Sequence, residues 1–410
     1  MEAQFIVSSP GRADFLNTHQ DYKGLPVVPV AINLRLYISA KLSGDKTFNV
    51  RSVDLERLGE PYMDSFDVGV NDMLGGRFFG NYLRGVVNVL VKKGFGDKIR
   101  GMDLTVRSEI PIGSGLASSA ALEVAFTELL NHAFNLGLSR KDVAEISFAA
   151  ENVEVGIPCG RLDQYGSAFG GIIKLDCRPP YDVEPLPFRD LTFAIIDSGI
   201  RHSTGEIHPR RQMEINAGLE TLMKSNAVPR ELKAKLGYRF DQPRWEDIGE
   251  EEIQDYLSIL SEPSRKRILF TLRMHRLTMV ALRVLRFEGV TAEDLISNLG
   301  EESWRRVQKG PSEEFSYRIL GEIMNAQHAL LRDLYDVSLP EIDHICDAAL
   351  NAGAYGAKLS GAGMGGSIIA LVKNREIGER VIDACLSEGA RGGWVSEVGE
   401  GVRIEKTTKI

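Results

Sequence analysis

Apolar and polar positions alternate along the chain with two different periods. Gln4–Ser9 is a short apolar run that ends at Ser9-Pro10-Gly11, and Val27–Leu42 is a long β-branched stretch; both predict strands. Pro29 marks a strand end, because proline cannot donate to a ladder. Phe78–Lys93 changes to helical spacing, with Tyr82, Val86, Val89 and Leu90 on one face. Met102–Ser108 alternates as a strand and runs into a Gly/Ser-rich loop over 111–119. That loop opens onto a helix over Ala120–Phe134. A second helix follows over Lys141–Val153, with Ser139 as its N-cap. Gly170–Leu175 and Leu191–Asp197 are strand-like. From Pro209 to Val337 the pattern is mostly helical and densely charged. The remainder predicts a helix (Glu341–Asn351), a Gly-rich segment (358–367), a strand (Ser367–Val372), a helix (Glu376–Ser387) and a strand (Trp394–Val398). No fixed-period repeat or low-complexity tract interrupts this order. The pattern predicts an α+β protein of two lobes, sheet-rich over 1–200 and helix-rich over 201–410.

Composition narrows the function. With 43% hydrophobic and 26% charged residues among 410, the chain is neither disordered nor a disulfide-stapled miniprotein. The net charge of −8 comes with no basic stripe, which argues against nucleic acid or an anionic membrane as principal partner. Cys159, Cys177, Cys346 and Cys385 form no CxxC pair, so neither a zinc site nor a disulfide framework is expected, and a reducing cytoplasm fits. The acidic start Met1-Glu2-Ala3 predicts no secretory signal. No apolar run reaches the roughly 20 residues needed to span a bilayer. The expected partner is a small molecule, in the cytoplasm; the oligomeric state is not set by the sequence.

Three segments, and a fourth that belongs with them, carry candidate chemistry. In Pro111–Ala121, Gly113 and Gly115 allow a close main-chain approach, and the helix that follows offers unpaired N–H groups suited to a phosphate. Ser118 and Ser119 add hydroxyls able to meet a phosphate oxygen or Mg²⁺. The segment is not a Walker motif, since no Gly-Lys-Ser/Thr follows, and a plain N-capped loop would look the same. Lys358–Ser367 holds Gly361, Gly363, Gly365 and Gly366, which suit either a nucleotide phosphate or a tightly packed helix. Pro10–Asp21 places Arg12, His19 and Asp21 in a turn. Glu151–Gln164 adds a carboxylate at a helix end and then Asp163.

Taken together and in this order, these segments resemble the GHMP small-molecule kinases, and within them the galactokinase branch. Pro10-Gly11-Arg12 with His19-x-Asp21-Tyr22 resembles the branch's N-terminal signature. Pro111–Ala121 is similar to the family's second motif and Lys358–Ser367 to its third. Glu151-Asn152 with Pro158-Cys159-Gly160-Arg161-Leu162-Asp163-Gln164 resembles the stretch that carries the catalytic aspartate. His328-x-x-Leu331-Arg332-Asp333 and Val337–Asp343 match the segment ahead of the third motif. The resemblance implies a two-lobed GHMP kinase fold with the active site in the cleft between lobes, ATP and Mg²⁺ as cofactors, and phosphorylation of a sugar's anomeric hydroxyl. It implies ATP-phosphate contacts from Gly113, Ser114, Gly115, Leu116, Ala117, Ser118 and Ser119, and metal contacts from Ser119 and Glu151. Asp163 would accept the hydroxyl proton and Arg12 would steady the developing charge. Thr18, His19, Asp21, Gly160, Asp163, Ile207, His208, Gly361 and Gly363 would line the sugar.

Two positions depart from the branch. Galactokinases carry Gly-Glu-His-Thr-Asp-Tyr where this chain has Asn17-Thr18-His19-Gln20-Asp21-Tyr22, so a glutamate used on the C6 side of the sugar becomes Thr18. A sugar-binding tyrosine aligns with Ile207 or His208. The chemistry thus points to a 1-kinase for galactose or a galactose-configured sugar, with L-arabinose, galacturonate and N-acetylated amino sugars as alternatives. A non-catalytic sugar sensor would need a broken active site, whereas Arg12, Ser119, Glu151 and Asp163 are intact. His132, His202, His275 and His344 lack metal-ligand spacing, and Trp245, Trp304 and Trp394 are expected to be packing residues.

Overall fold

The computed structural model describes residues 3–76, 78–201 and 207–409. Its strands, in chain order, are β1 (Ala3–Leu16), β2 (Val28–Leu42), β3 (Thr47–Ser52), β4 (Met63–Asp67), β5 (Met102–Ser108), β6 (Ile173–Leu175), β7 (Val183–Pro185), β8 (Thr192–Asp197), β9 (Gly356–Ser360), β10 (Ser367–Val372), β11 (Gly392–Glu397) and β12 (Arg403–Lys409). These elements gather into two compact units. One takes the chain up to Ala13, Pro29–Ile173 and the stretch from Val398 on; the other takes Asp14–Val28 and Lys174–Glu397. The units do not follow a single cut near residue 200. The C-terminal strand pairs back antiparallel on the N-terminal one, with Ala3 opposite Lys409, and no local sequence pattern announces such a long-range pairing.

The first unit is built on a sheet of order β12-β1-β2-β5-β3-β4, in which β12–β1, β2–β5 and β3–β4 pair antiparallel and β3 runs parallel to β5. β5 buries every second residue, as its alternation predicts. β1 does not stop at Ser9-Pro10-Gly11 but continues to Leu16. Its pairing with β12 ends at Ser8, so Pro10 breaks no bond of that ladder. Helices Gly80–Lys92, Ser118–Phe134 and Arg140–Ala149 pack on one another beside this sheet. Phe126 from the second helix meets the Phe48 ring of β3 edge-on at 5.5 Å. Ser139 caps the third helix as expected and closes a capping box with Asp142. That helix ends at Ala149 rather than Val153, because residues 150–155 widen into one π turn.

The second unit holds an antiparallel sheet of order β11-β8-β10-β9. β10 (Ser367–Val372) is buried along its whole length, which fits its unbroken apolar run. Ile196 and Ile368 on the sheet join Ile342, Ile345 and Val381 from helices Pro340–Asn351 and Arg375–Ser387 in one core. A second core, around the fully buried Trp245, sits among Ile215, Leu219, Ile268 and Leu272 of helices Ile207–Lys224 and Glu262–Leu285. Lys358 lies on β9 rather than in a loop, since that strand runs to Ser360, into the segment 358–367 that the sequence reads as glycine-rich. Helix Phe315–Asp333 presses on β9 at a pair of glycines. A Cβ on Gly321 would stand 2.3 Å from the Tyr355 carbonyl oxygen, and one on Gly356 2.2 Å from that of Gly321. No helix among the described residues is long and apolar enough to cross a membrane.

Replacing glycine by alanine inside a helix ordinarily stabilises it by about 0.5–1 kcal/mol. Gly321→Ala is expected to do the opposite and lower the unfolding free energy by about 1–3 kcal/mol, as overpacking does. Urea unfolding measures it, and a stabilised variant would refute the close approach.

Candidate active site

Arg12 is the junction of the first unit's polar residues. It is buried on β1, and its guanidinium forks: Nε and Nη2 donate to Asp163 Oδ1 at 2.8 and 2.6 Å, while Nη1 donates to the Gly115 carbonyl at 2.7 Å. The loop after β5 is drawn against β1 at this point. The Arg12 main-chain N–H donates to the Leu116 carbonyl at 3.2 Å, and a Cβ on Gly11 would stand only 2.8 Å from that same oxygen. Asp163 occupies the first turn of helix Leu162–Phe169. The helix is fastened by Glu145, which accepts from Arg161 Nε at 2.7 Å and from Tyr165 Oη at 2.6 Å. Because both guanidinium bonds go to Oδ1, Asp163 Oδ2 has no hydrogen-bond partner among the described residues. Its side chain keeps 29% of its surface exposed, so an incoming hydroxyl can reach it.

The loop between β5 and helix Ser118–Phe134 takes left-handed conformations at Gly113, Gly115 and the non-glycine Ala117 (φ 59°). The helix begins two residues earlier than the sequence suggested, directly after this turn. Gly113 and Gly115 are exposed and Ser118 and Ser119 half-buried, whereas Ser114, Leu116 and Ala117 are buried. Ser114 Oγ bonds the Pro111 carbonyl at 2.8 Å and braces the loop, so these three residues have only main-chain groups to offer a phosphate.

Ser119 Oγ donates to Glu151 Oε1 at 3.1 Å. Glu151 stands on the π turn, which lies close to helix Gly80–Lys92: a Cβ on Gly85 would meet the Ala150 carbonyl oxygen at 2.9 Å. Burial first, and the neighbouring Asp163 second, push the Glu151 carboxyl up to about 7. A hydroxyl and a carboxylate are hard oxygen donors of the kind Mg²⁺ takes, so these residues fit that ion. No three His, Cys, Asp or Glu side chains form a metal cage among the described residues, and Mg²⁺ commonly completes its shell with phosphate oxygens and water. Sequence reasoning passed over Gln164 and Glu123, which lie behind Glu151. Gln164 Nε2 donates to Glu151 Oε2 at 2.6 Å and to Glu123 Oε2 at 3.3 Å.

In the second unit, Asn17 and His19 are both left-handed, so the chain folds tightly around Thr18. Thr18 Oγ1 accepts from Lys358 Nζ at 2.9 Å; the same ammonium donates to the Asp14 and Leu359 carbonyls at 2.9 and 2.8 Å. Lys358 is fully buried, and that burial lowers its pKa to about 8. His19 Nε2 bonds the Ala362 carbonyl at 3.0 Å, joining the N-terminal signature to the third glycine motif. Burial, then the nearby His208, holds His19 well below its ordinary pKa. Ring contacts link His19 to His208 at 5.1 Å and to Tyr335 at 5.0 Å, and the Tyr22 and Tyr335 hydroxyls share a short hydrogen bond. Asp21 opens a half-buried 3₁₀ turn after them.

Of the two positions aligned with the family's tyrosine, His208 joins this cluster while Ile207 packs against the apolar core. Residues 202–206 of that stretch, His202 among them, lie outside the described residues. Gly361 and Gly363 are left-handed; a Cβ on Gly363 would stand 2.5 Å from the Val337 carbonyl oxygen, so tight main-chain packing already accounts for this glycine. Gly160 is exposed on a turn pinned by Asn152 Nδ2 to the Cys159 carbonyl at 3.1 Å. The sequence pointed to Lys358 only as the first residue of a glycine run; a lysine inside a short apolar strand was the available signal.

Comparison with known proteins adds the lineage. Residues 81–171 match the GHMP kinases N terminal domain, residues 312–391 the GHMP kinases C terminal domain, and residues 1–42 a galactokinase galactose-binding signature. A galactokinase of Thermococcus kodakarensis is 31% identical over 385 residues, covering 92% of this chain and 93% of the relative. One of Roseiflexus sp. (strain RS-1) is 30% identical over 378 residues, covering 91% and 84%. The crystal structure of Lactococcus lactis galactokinase complexed with galactose superposes with a TM-score of 0.75 at 26% identity, covering 98% of this chain and 95% of that one. A Methanococcus jannaschii mevalonate kinase shares the fold at 18% identity and a TM-score of 0.63, covering 97% and 99%. The chain belongs to the GHMP kinases, in their galactokinase branch.

Proposed function

We propose that this protein transfers the γ-phosphoryl group of ATP to the anomeric hydroxyl of galactose or a galactose-configured sugar, giving the sugar 1-phosphate and ADP. The observation that carries the reading is the Arg12 fork, which ties the carboxylate of Asp163 to the carbonyl of the glycine-serine loop. Phosphoryl transfer asks a protein mainly for positioning and charge stabilisation. The exposed glycines and helix start at 113–119 supply a phosphate cradle. Asp163 Oδ2 takes the proton from the sugar's O1 as the O1–P bond forms and the bond from Pγ to the ADP oxygen breaks. Arg12 keeps Asp163 Oδ1 turned away from that proton and places positive charge beside the reacting oxygens. Ser119 and Glu151 are the residues that would hold Mg²⁺, which when bound neutralises charge on the β- and γ-phosphate oxygens. Asp21, His19 and His208 would bond the sugar hydroxyls. The four cysteines, all unpaired, and the use of ATP support a cytoplasmic location.

A second substrate, the galactose-configured uronic acid, is favoured by one pair of residues. At position 18, where the branch carries glutamate, a hydroxyl stands with a buried ammonium behind it, so a carboxylate at C6 meets no like charge there.

Asp163→Asn is expected to lower turnover by about a hundredfold or more, as losses of a general base do, with ATP affinity retained in calorimetry. Near-normal turnover would remove Asp163 from the role. Arg12→Lys keeps the charge but loses the two-pronged geometry, so turnover is expected to drop by at least about tenfold. A panel of galactose, L-arabinose, galacturonate and N-acetylgalactosamine with ATP, assayed for sugar 1-phosphate, identifies the substrate; galactose is expected to turn over. Thr18→Glu is expected to depress kcat/KM for galacturonate at least about tenfold more than for galactose, through like-charge repulsion. Equal effects on both sugars would place C6 away from Thr18.

A further inference from the structure

Gln164 and Glu123 have no part in the chemistry above, yet both are completely buried beside it. Three segments of the first unit meet there: helix Ser118–Phe134 brings Ser119 and, one turn on, Glu123; the π turn brings Glu151; helix Leu162–Phe169 brings Asp163 and its neighbour Gln164. A glutamine amide has one end that only donates and one that only accepts. Here the donating end faces two carboxyl groups, Glu151 at 2.6 Å and Glu123 at 3.3 Å, so both N–H bonds have an acceptor. Gln164 Oε1 and Glu123 Oε1, both buried, have no partner among the described residues. Rotating the amide by half a turn would set its carbonyl oxygen against two further oxygens, so the acceptor pair fixes its orientation. Glu151 is then gripped at both oxygens, by Ser119 Oγ on Oε1 and by Gln164 Nε2 on Oε2.

We infer that Gln164, aimed by Glu123, is a positioning residue that presents the Glu151 carboxylate to a divalent cation and ties its placement to that of Asp163. The inference rests on the reading that Ser119 and Glu151 hold that cation. A purely structural contact at this depth would be simpler to make from apolar side chains, because buried polar groups are costly unless bonded. Partners that orient a metal's ligands typically matter about 10–100-fold for metal affinity. Gln164 is adjacent to Asp163 on one short helix, so a shift of the carboxylate that meets the metal is a shift of the proton acceptor as well.

The test uses the full chain, with Mn²⁺ as the probe and a non-hydrolysable ATP analogue present. Free Mn²⁺ is counted by electron paramagnetic resonance, and analogue binding without metal and the melting temperature are measured alongside. Gln164→Met keeps the length and removes the donor; it is expected to weaken Mn²⁺ binding by about tenfold or more, with metal-free analogue binding at the wild-type value. Unchanged Mn²⁺ affinity in a folded Gln164→Met overturns the inference. Should that variant not fold, the isosteric Gln164→Glu carries the same test, with the same loss expected and the same overturning result. If the wild-type protein itself binds no Mn²⁺ beside the analogue, the cation site at Ser119 and Glu151 fails and this inference with it. If the variants behave as expected but no sugar is phosphorylated, the kinase reading fails while the role of Gln164 stands.

Discussion

One guanidinium ties together three distant segments of the first unit. Arg12 comes from the first strand, Gly115 from the loop after the fifth, and Asp163 from a helix 151 residues after Arg12, and one planar side chain joins all three segments. Arginine suits this place because its donors are fixed in one plane, so satisfying one partner dictates where the others must be. The neighbouring packing serves the same end. Gly11 admits the Leu116 carbonyl, and Glu145 fastens the helix on which Asp163 rides.

Buried ionisable groups recur around this junction and in the second unit. Glu151, Glu123 and Lys358 are each withdrawn from water, and each titrates away from its ordinary range because of it. Such placements are tolerated when polar partners surround the group. Lys358 donates to three oxygens, two of them main-chain carbonyls, and so fastens Asp14 and Thr18 to β9. A polar network of this kind has fewer acceptable arrangements than an apolar core, so it specifies the placement of its members.

Much of this was visible in the residue pattern. The strand before the glycine-serine loop, the helix after it and the Ser139 cap follow from periodicity and capping rules acting over a few residues. Arg12, Ser119, Glu151 and Asp163 emerged from motif order, and the structure brings them together in one unit. What stayed hidden depends on distant partners. β3, β4 and β12 carry weak local signals and owe their form to sheet neighbours. β1 runs past Pro10 because its outer ladder has already ended, and the π turn at Glu151 belongs to packing against Gly85. Gln164 and Lys358 were overlooked for a related reason: a polar residue inside an apolar stretch shows its purpose only once its partners are placed.

β1 carries Arg12 and then runs on through Asp14 to the turn that contains Thr18, His19 and Asp21, with Pro10 and Gly11 inside the strand rather than at its end. Side chains on a strand alternate between faces, so adding or removing a single residue there would reverse every position beyond it. The number of residues between Arg12 and Thr18 is therefore constrained in a way that the identity of each residue in the turn is not. A lineage on this scaffold can exchange side chains in place along this stretch, while changes of length in the strand are closed to it.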